Sequence, residues 1–157
     1  MRILISAVLF VLAGQTAAQA ETTAPIGVSV VRAWSRATPP GATTGVIYLT
    51  VVNSGADDDQ LLGGSTPVAE TLQFHSSMDD NGVMKMRELT EIDVAAGASV
   101  ALKPSSTHLM LLHMTHPLTA GQTFPLTLTF KAAGAINVEV VVGTVGAMDF
   151  PAAAAPK

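Results

Sequence analysis

His75, Met86, His108 and Met110 stand in the pattern H-x10-M-x21-H-x-M. Two imidazoles and two thioethers make a soft donor set that carries no charge. Such a set favours Cu(I) over zinc, calcium or magnesium. Imidazole binds copper in its neutral form, and a thioether is neutral at every pH. Four neutral donors leave Cu(I) a monocation and give no help to Cu(II), which prefers square-planar nitrogen and oxygen ligands. Because none of the four has to carry charge, a partner bearing thiolates can take the metal by exchanging one ligand at a time. The chain has no cysteine, which excludes a blue-copper electron-transfer site, thiol redox chemistry and disulfides.

The sequence also indicates how four distant residues can meet. Asn81-Gly82 is the strongest hairpin signal in the chain, since a two-residue type I′ turn needs positive φ at both central positions. With those residues as the loop, Asp80 pairs with Val83, Ser77 with Met86 and His75 with Glu88. His75 and Met86 then become diagonal neighbours on one face, with Cβ atoms ~7 Å apart. Met84 shares that face nearer the turn, and Met78 lies on the opposite one. His108 and Met110 are separated by one residue, so on a strand both point to the same side. A hairpin and a strand thus supply two ligands each, provided the strand begins beside the hairpin.

The rest of the chain reads as strands. It is rich in Val, Thr, Leu and Gly, and short apolar runs are separated by turn residues, the pattern of an all-β sandwich or barrel. Strands are predicted over 28–34, 46–53, 60–66, 70–76, 83–89, 99–102, 108–114, 124–130 and 136–142. Leu126, Leu128 and Phe130 alternate with Thr127 and Thr129, as expected of half-buried strands in two antiparallel sheets packed face to face. No apolar pattern of helical period persists. At the start, Arg2 precedes an apolar run too short to span a bilayer, and Ala18-Gln19-Ala20 fits a cleavage site. Residues 1–20 are therefore read as a signal peptide, with Glu21 as the mature terminus and no membrane attachment after cleavage. Residues 21–146 form a single domain, and 147–157 a short mobile tail. The formal net charge is −4, without the basic patch that nucleic-acid binding requires.

Blander roles compete for these residue types. A single Met in a β-protein commonly fills a core gap, and a single His commonly sits at the surface or in a hydrogen bond. Met78, Met84, Met114, Met148, His113 and His116 are read that way, with a second weak metal site at the two histidines as the alternative. Asp57-Asp58-Asp59 reads as a solvated turn. The chain has no nucleophile elbow, no H-E-x-x-H and no P-loop, so an enzyme is not expected. Three functions remain open. One is a Cu(I) carrier that delivers its metal. Another is copper or silver sequestration without a dedicated acceptor. The third is a secreted β-sandwich interaction module in which the His and Met residues only pack; it predicts no stoichiometric copper binding and no metal-dependent gain in thermal stability.

Beyond the quartet, several stretches resemble the periplasmic copper chaperones called PCu(A)C. They are Ala33-Trp34-Ser35-Arg36-Ala37-Thr38-Pro39-Pro40-Gly41, Gly45-Val46-Ile47-Tyr48-Leu49-Thr50, Phe74-His75, Asn81-Gly82-Val83-Met84-Lys85-Met86-Arg87, Leu102-Lys103-Pro104 and His108-Leu109-Met110-Leu111. The resemblance implies a cupredoxin-like Greek-key β-sandwich or barrel. It implies a periplasmic monomer with one Cu(I) near the surface on His75, Met86, His108 and Met110. It further implies delivery toward the CuA centre of a haem-copper oxidase, directly or with a thiol-bearing copper chaperone as partner. Two departures stand out. The tail after Phe150 has no His, unlike the His- and Met-rich extension that adds Cu(II) binding in many members. Pro104-Ser105-Ser106-Thr107 also replaces the common Pro-Gly-Gly before the ligand His.

Overall fold

The computed structural model describes residues 27–151. The signal peptide read over 1–20 and the last part of the tail, 152–157, lie outside the described residues. Ten strands follow in order: β1 (Val28–Arg36), β2 (Thr44–Asn53), β3 (Asp59–Ser65), β4 (Ala69–Asp80), β5 (Val83–Leu89), β6 (Ile92–Val94), β7 (Ser99–Leu102), β8 (Thr107–Met114), β9 (Thr123–Phe130) and β10 (Gly134–Gly143). Among the described residues there is no helix, and so none long and apolar enough to cross a membrane.

The ladder is continuous in the order β5-β4-β8-β2-β1-β10-β9-β3-β6, with β7 on β2. The two expected layers are thus parts of one sheet, and one pair, β1 with β10, is parallel. The sheet folds over so that strands far apart in the ladder meet. A Cβ placed on Gly64 in β3 would lie 2.6 Å from the Thr127 carbonyl oxygen of β9 and 3.3 Å from Leu72 Cδ2 of β4. Gly64→Ala is therefore expected to push β3 off β9 and cost about 2 kcal/mol, read as a lowered melting temperature.

Alternation of apolar and polar residues puts one side of nearly every strand into a common core. That core takes Ile47, Leu49 and Val51 from β2, Leu109 and Leu111 from β8, and Phe124, Leu126, Leu128 and Phe130 from β9. β5 brings only the partly buried Leu89 against it. At the rim, the Asp59 carboxylate accepts the backbone N–H groups of Gln60 at 2.7 Å, Ala132 at 2.8 Å and Ala133 at 2.9 Å. It therefore ties the β9–β10 turn to the start of β3. The acidic run read as a solvated turn is in this respect a structural clamp, because Asp59 is buried.

The tail drawn from residue 147 begins against β1. The Ala147 carbonyl accepts from Arg36 Nε at 2.6 Å, Asp149 pairs with Arg32 at 2.7 Å, and Arg32 stacks on the Phe150 ring. This pairing and the Phe150 N–H hold the Asp149 carboxyl below its ordinary value, the backbone N–H being the larger influence.

Candidate metal centre

The Asn81-Gly82 turn has positive φ at both positions, 55° and 83°. It sets the register read from the sequence: Asp80↔Val83, Ser77↔Met86 and His75↔Glu88. On its other edge β4 pairs with β8, and there His75 lies directly across from His108. Paired residues in an antiparallel ladder share a face, so the two imidazoles are neighbours, with ring centroids 6.1 Å apart. Met110 follows on the same side of β8, paired with Gln73 of β4 and Val46 of β2. Met86 is diagonal to His75 on β5. The intervening residues Phe74, Leu109 and Leu111 turn into the core, which fixes this face outward. Exposure is graded: His108 is buried at 4%, His75 and Met110 are intermediate, and Met86 is 60% exposed.

Each imidazole has one nitrogen held and one left over. Gln73 Oε1 lies 3.1 Å from His75 Nε2, and the Ser106 carbonyl 3.0 Å from His108 Nδ1. Both oxygens are acceptors, so the facing nitrogens carry the protons. His75 Nδ1 and His108 Nε2 then bear the lone pairs, and these two atoms are buried with no hydrogen-bond partner. A buried polar atom without a partner is costly. A histidine with one ring nitrogen anchored to an oxygen and the other free of any hydrogen bond is the usual arrangement of a metal-binding imidazole. A soft cation therefore fits this donor set. Gln73→Leu is expected to release the His75 tautomer and lower Cu(I) affinity about tenfold. Nitrogen-15 shifts of the His75 ring in the metal-free protein would report the tautomer directly.

The carbonyl that holds His108 belongs to the Pro104-Ser105-Ser106-Thr107 loop. Ser106 O also accepts the Ser77 N–H at 3.3 Å, joining the loop to β4. Ser105 takes a left-handed φ of 60°, a conformation that favours glycine. Behind His108 stands an aromatic wall. Tyr48 is 6.3 Å from the His108 ring, and Trp34 is 4.7 Å from Tyr48. A bulge at Arg32, φ 54°, re-aims β1 so that Trp34 pairs with Tyr48. Trp34 is thus one ring removed from the histidines. Burial raises the Tyr48 phenol above its ordinary value, partly opposed by the Arg36 guanidinium. The phenol stays protonated and supplies no anionic oxygen.

Other candidates sit apart. His113 lies at the far end of β8, 3.9 Å from Glu70, and His116 bonds to Thr115 beyond it. Met78 pairs with Lys85 on the opposite hairpin face, and Met84 pairs with Asp79 nearer the turn than Met86. Among the described residues no three His, Cys, Asp or Glu come together as a metal site, so hard-cation binding has no support. Gln73 and Tyr48 carry no metal-site signal of their own in the sequence. Gln73 was legible in principle, since it precedes His75 by two residues and so shares its face.

Residues 28–142 match the family described as "Putative lipoprotein LpqE-like". The chain belongs to the LpqE-like family. A relative, "Putative lipoprotein Lxx21020" of Leifsonia xyli subsp. xyli, is 32% identical over 117 residues, covering 74% of this chain and 69% of the relative. Among solved structures, the apo PCuAC domain of PmoF2 superposes with a TM-score of 0.66 at 25% identity, covering 78% of this chain and 94% of the domain. The solution structure of CuI-DR1885 from Deinococcus radiodurans gives 0.57 at 27% identity, covering 79% and 83%. The LpqE-like chain therefore has the all-β, cupredoxin-like Greek-key fold of PCuAC domains, the class expected from its sequence.

Proposed function

We propose that this chain is a Cu(I) carrier, not an enzyme, and that His75, Met86, His108 and Met110 hold the metal. The observation that carries the reading is the pair of buried, partnerless nitrogens, His75 Nδ1 and His108 Nε2, on imidazoles 6.1 Å apart whose other nitrogens are anchored. The Cu(I)-loaded state of a 27% identical structural relative supports the same cargo. The donors run from buried His108 to exposed Met86. Metal held this way is gripped by nitrogen inside and open to an incoming ligand on the hairpin side. Stepwise replacement of the neutral donors by a partner's thiolates then moves Cu(I) without changing its oxidation state.

The acceptor in this reading is the CuA domain of a haem-copper oxidase or a thiol-bearing copper chaperone, met in the periplasm after export. Titration of the mature protein with Cu(I) against a chromophoric chelator should give one tightly held equivalent. Mixing the loaded protein with an apo CuA domain should move copper to the acceptor. Retention on the carrier would favour storage over delivery, and the absence of a stoichiometric endpoint would end the carrier reading.

A further inference from the structure

The β4–β5 hairpin carries a group of large exposed side chains that the core does not use, and of these the four-ligand site takes Met86 alone. Met78 is 57% exposed, Val83 59%, Met84 56% and Met86 60%. β5 brings only Leu89, at its end away from the turn, against the core, and it is an edge of the ladder, paired only with β4. Large apolar side chains left in water call for an explanation, and here three of the four are thioethers.

Register separates the three. Met84 and Met86 are two residues apart and share the face that carries His75, whereas Met78 pairs with Lys85 on the other side. At ~3.4 Å per residue, Met84 lies ~7 Å further along the strand than Met86. It pairs with Asp79, four residues beyond His75 on β4, which is too far to join the imidazoles on one ion. It is close enough to Met86 for two long, unbranched side chains to converge.

We infer that Met84 and Met86 form an outer two-thioether station for Cu(I), through which the ion passes to and from the inner site. This rests on the carrier reading above. Met86 is common to both positions. An ion arriving at the hairpin binds Met84 and Met86, then exchanges Met84 for His75, His108 and Met110 one ligand at a time, while Met86 stays bound. Departure reverses the order. No electron or proton moves, because every donor is neutral. Two thioethers hold Cu(I) more weakly than two imidazoles plus two thioethers, so a single ion rests at the inner site; a second ion, in excess copper, takes Met86 together with Met84 and leaves the inner ion on His75, His108 and Met110.

The test uses the mature protein with 13C-methyl-labelled methionines, titrated with Cu(I) under anaerobic conditions and, in parallel, with Ag(I). The first equivalent should shift the Met86 and Met110 methyl signals. Past one equivalent the Met84 signal should shift together with Met86, and Met78 should stay still. In a His75→Ala/His108→Ala variant, Met84 and Met86 should respond from the first addition. Met84→Leu should abolish the second event and slow copper loss to a competing chelator, and Met78→Leu should do neither. A Met84 signal that stays fixed while Met86 and Met110 move would overturn the station and leave the carrier intact. Equal movement of Met78 and Met84 would also overturn it, as unselective thioether binding. If no methionine signal moves at all, the carrier reading fails and the station falls with it.

Discussion

His108→Ala is expected to weaken Cu(I) binding by at least about 100-fold, since even residues that only orient a ligand are worth 10–100-fold. The argument rests on where His108 sits. It is the most buried of the four donors, its Nδ1 is anchored on Ser106, and its Nε2 has no partner. Its replacement removes the deepest nitrogen and leaves His75 as the single remaining imidazole of the cluster. The side chain faces away from the core that Leu109 and Leu111 enter, so circular dichroism should still show a folded β-protein. Competition against a Cu(I) chelator measures the loss. Equal affinity in the variant and the parent would remove His108 from the site. His75→Ala should repeat the effect, because the two rings pair across β4 and β8.

The second large effect concerns stability. Asp59→Asn is expected to cost about 3 kcal/mol, because it puts an amide where a carboxylate accepts three backbone N–H groups. For a domain of this size that lowers the melting temperature by about 10 °C. Burial by itself would raise the Asp59 carboxyl, but the N–H groups of Ala132, Ala133, Gln60 and Lys131 outweigh it and hold the group below its ordinary value. A carboxyl depressed in the folded state contributes stability that is complete above its unfolded pKa of ~3.9. That contribution is lost as pH falls through the lower folded value. The gap in melting temperature between parent and variant should therefore be full at neutral pH and close under acid conditions. A gap that did not change with pH would assign the loss to shape alone.

Local chemistry made part of this molecule legible from sequence. Asn81-Gly82 sets a turn of two residues, and that turn alone fixes which residues of β4 and β5 face each other. The same register required β4 to run on to Asp80, beyond the end at Ser76 that composition suggested. Spacing of two placed Met110 beside His108. What was not legible depends on distant parts of the chain. Ile92–Val94 is a three-residue strand, too short to show alternation, and it exists because β3 offers it a partner. The parallel pairing of β1 with β10 joins the two ends of the described chain, and no local signal encodes it. The contact of Ser106 with His108 Nδ1 depends on a loop whose backbone conformation at Ser105 departs from that expected of serine. The meeting of hairpin and strand, left open by the sequence, follows from seven paired positions between β4 and β8.

Apart from Leu89 at its end, strand β5 gives the body of the protein nothing to fold around. Replacements at positions 84 and 86 are therefore shielded from the selection that keeps a core intact. If these thioethers hold the metal as proposed, a lineage, or an engineer, can retune the preference between copper and silver on this arm by altering sulfur number and spacing, with the remaining strands kept as a constant chassis.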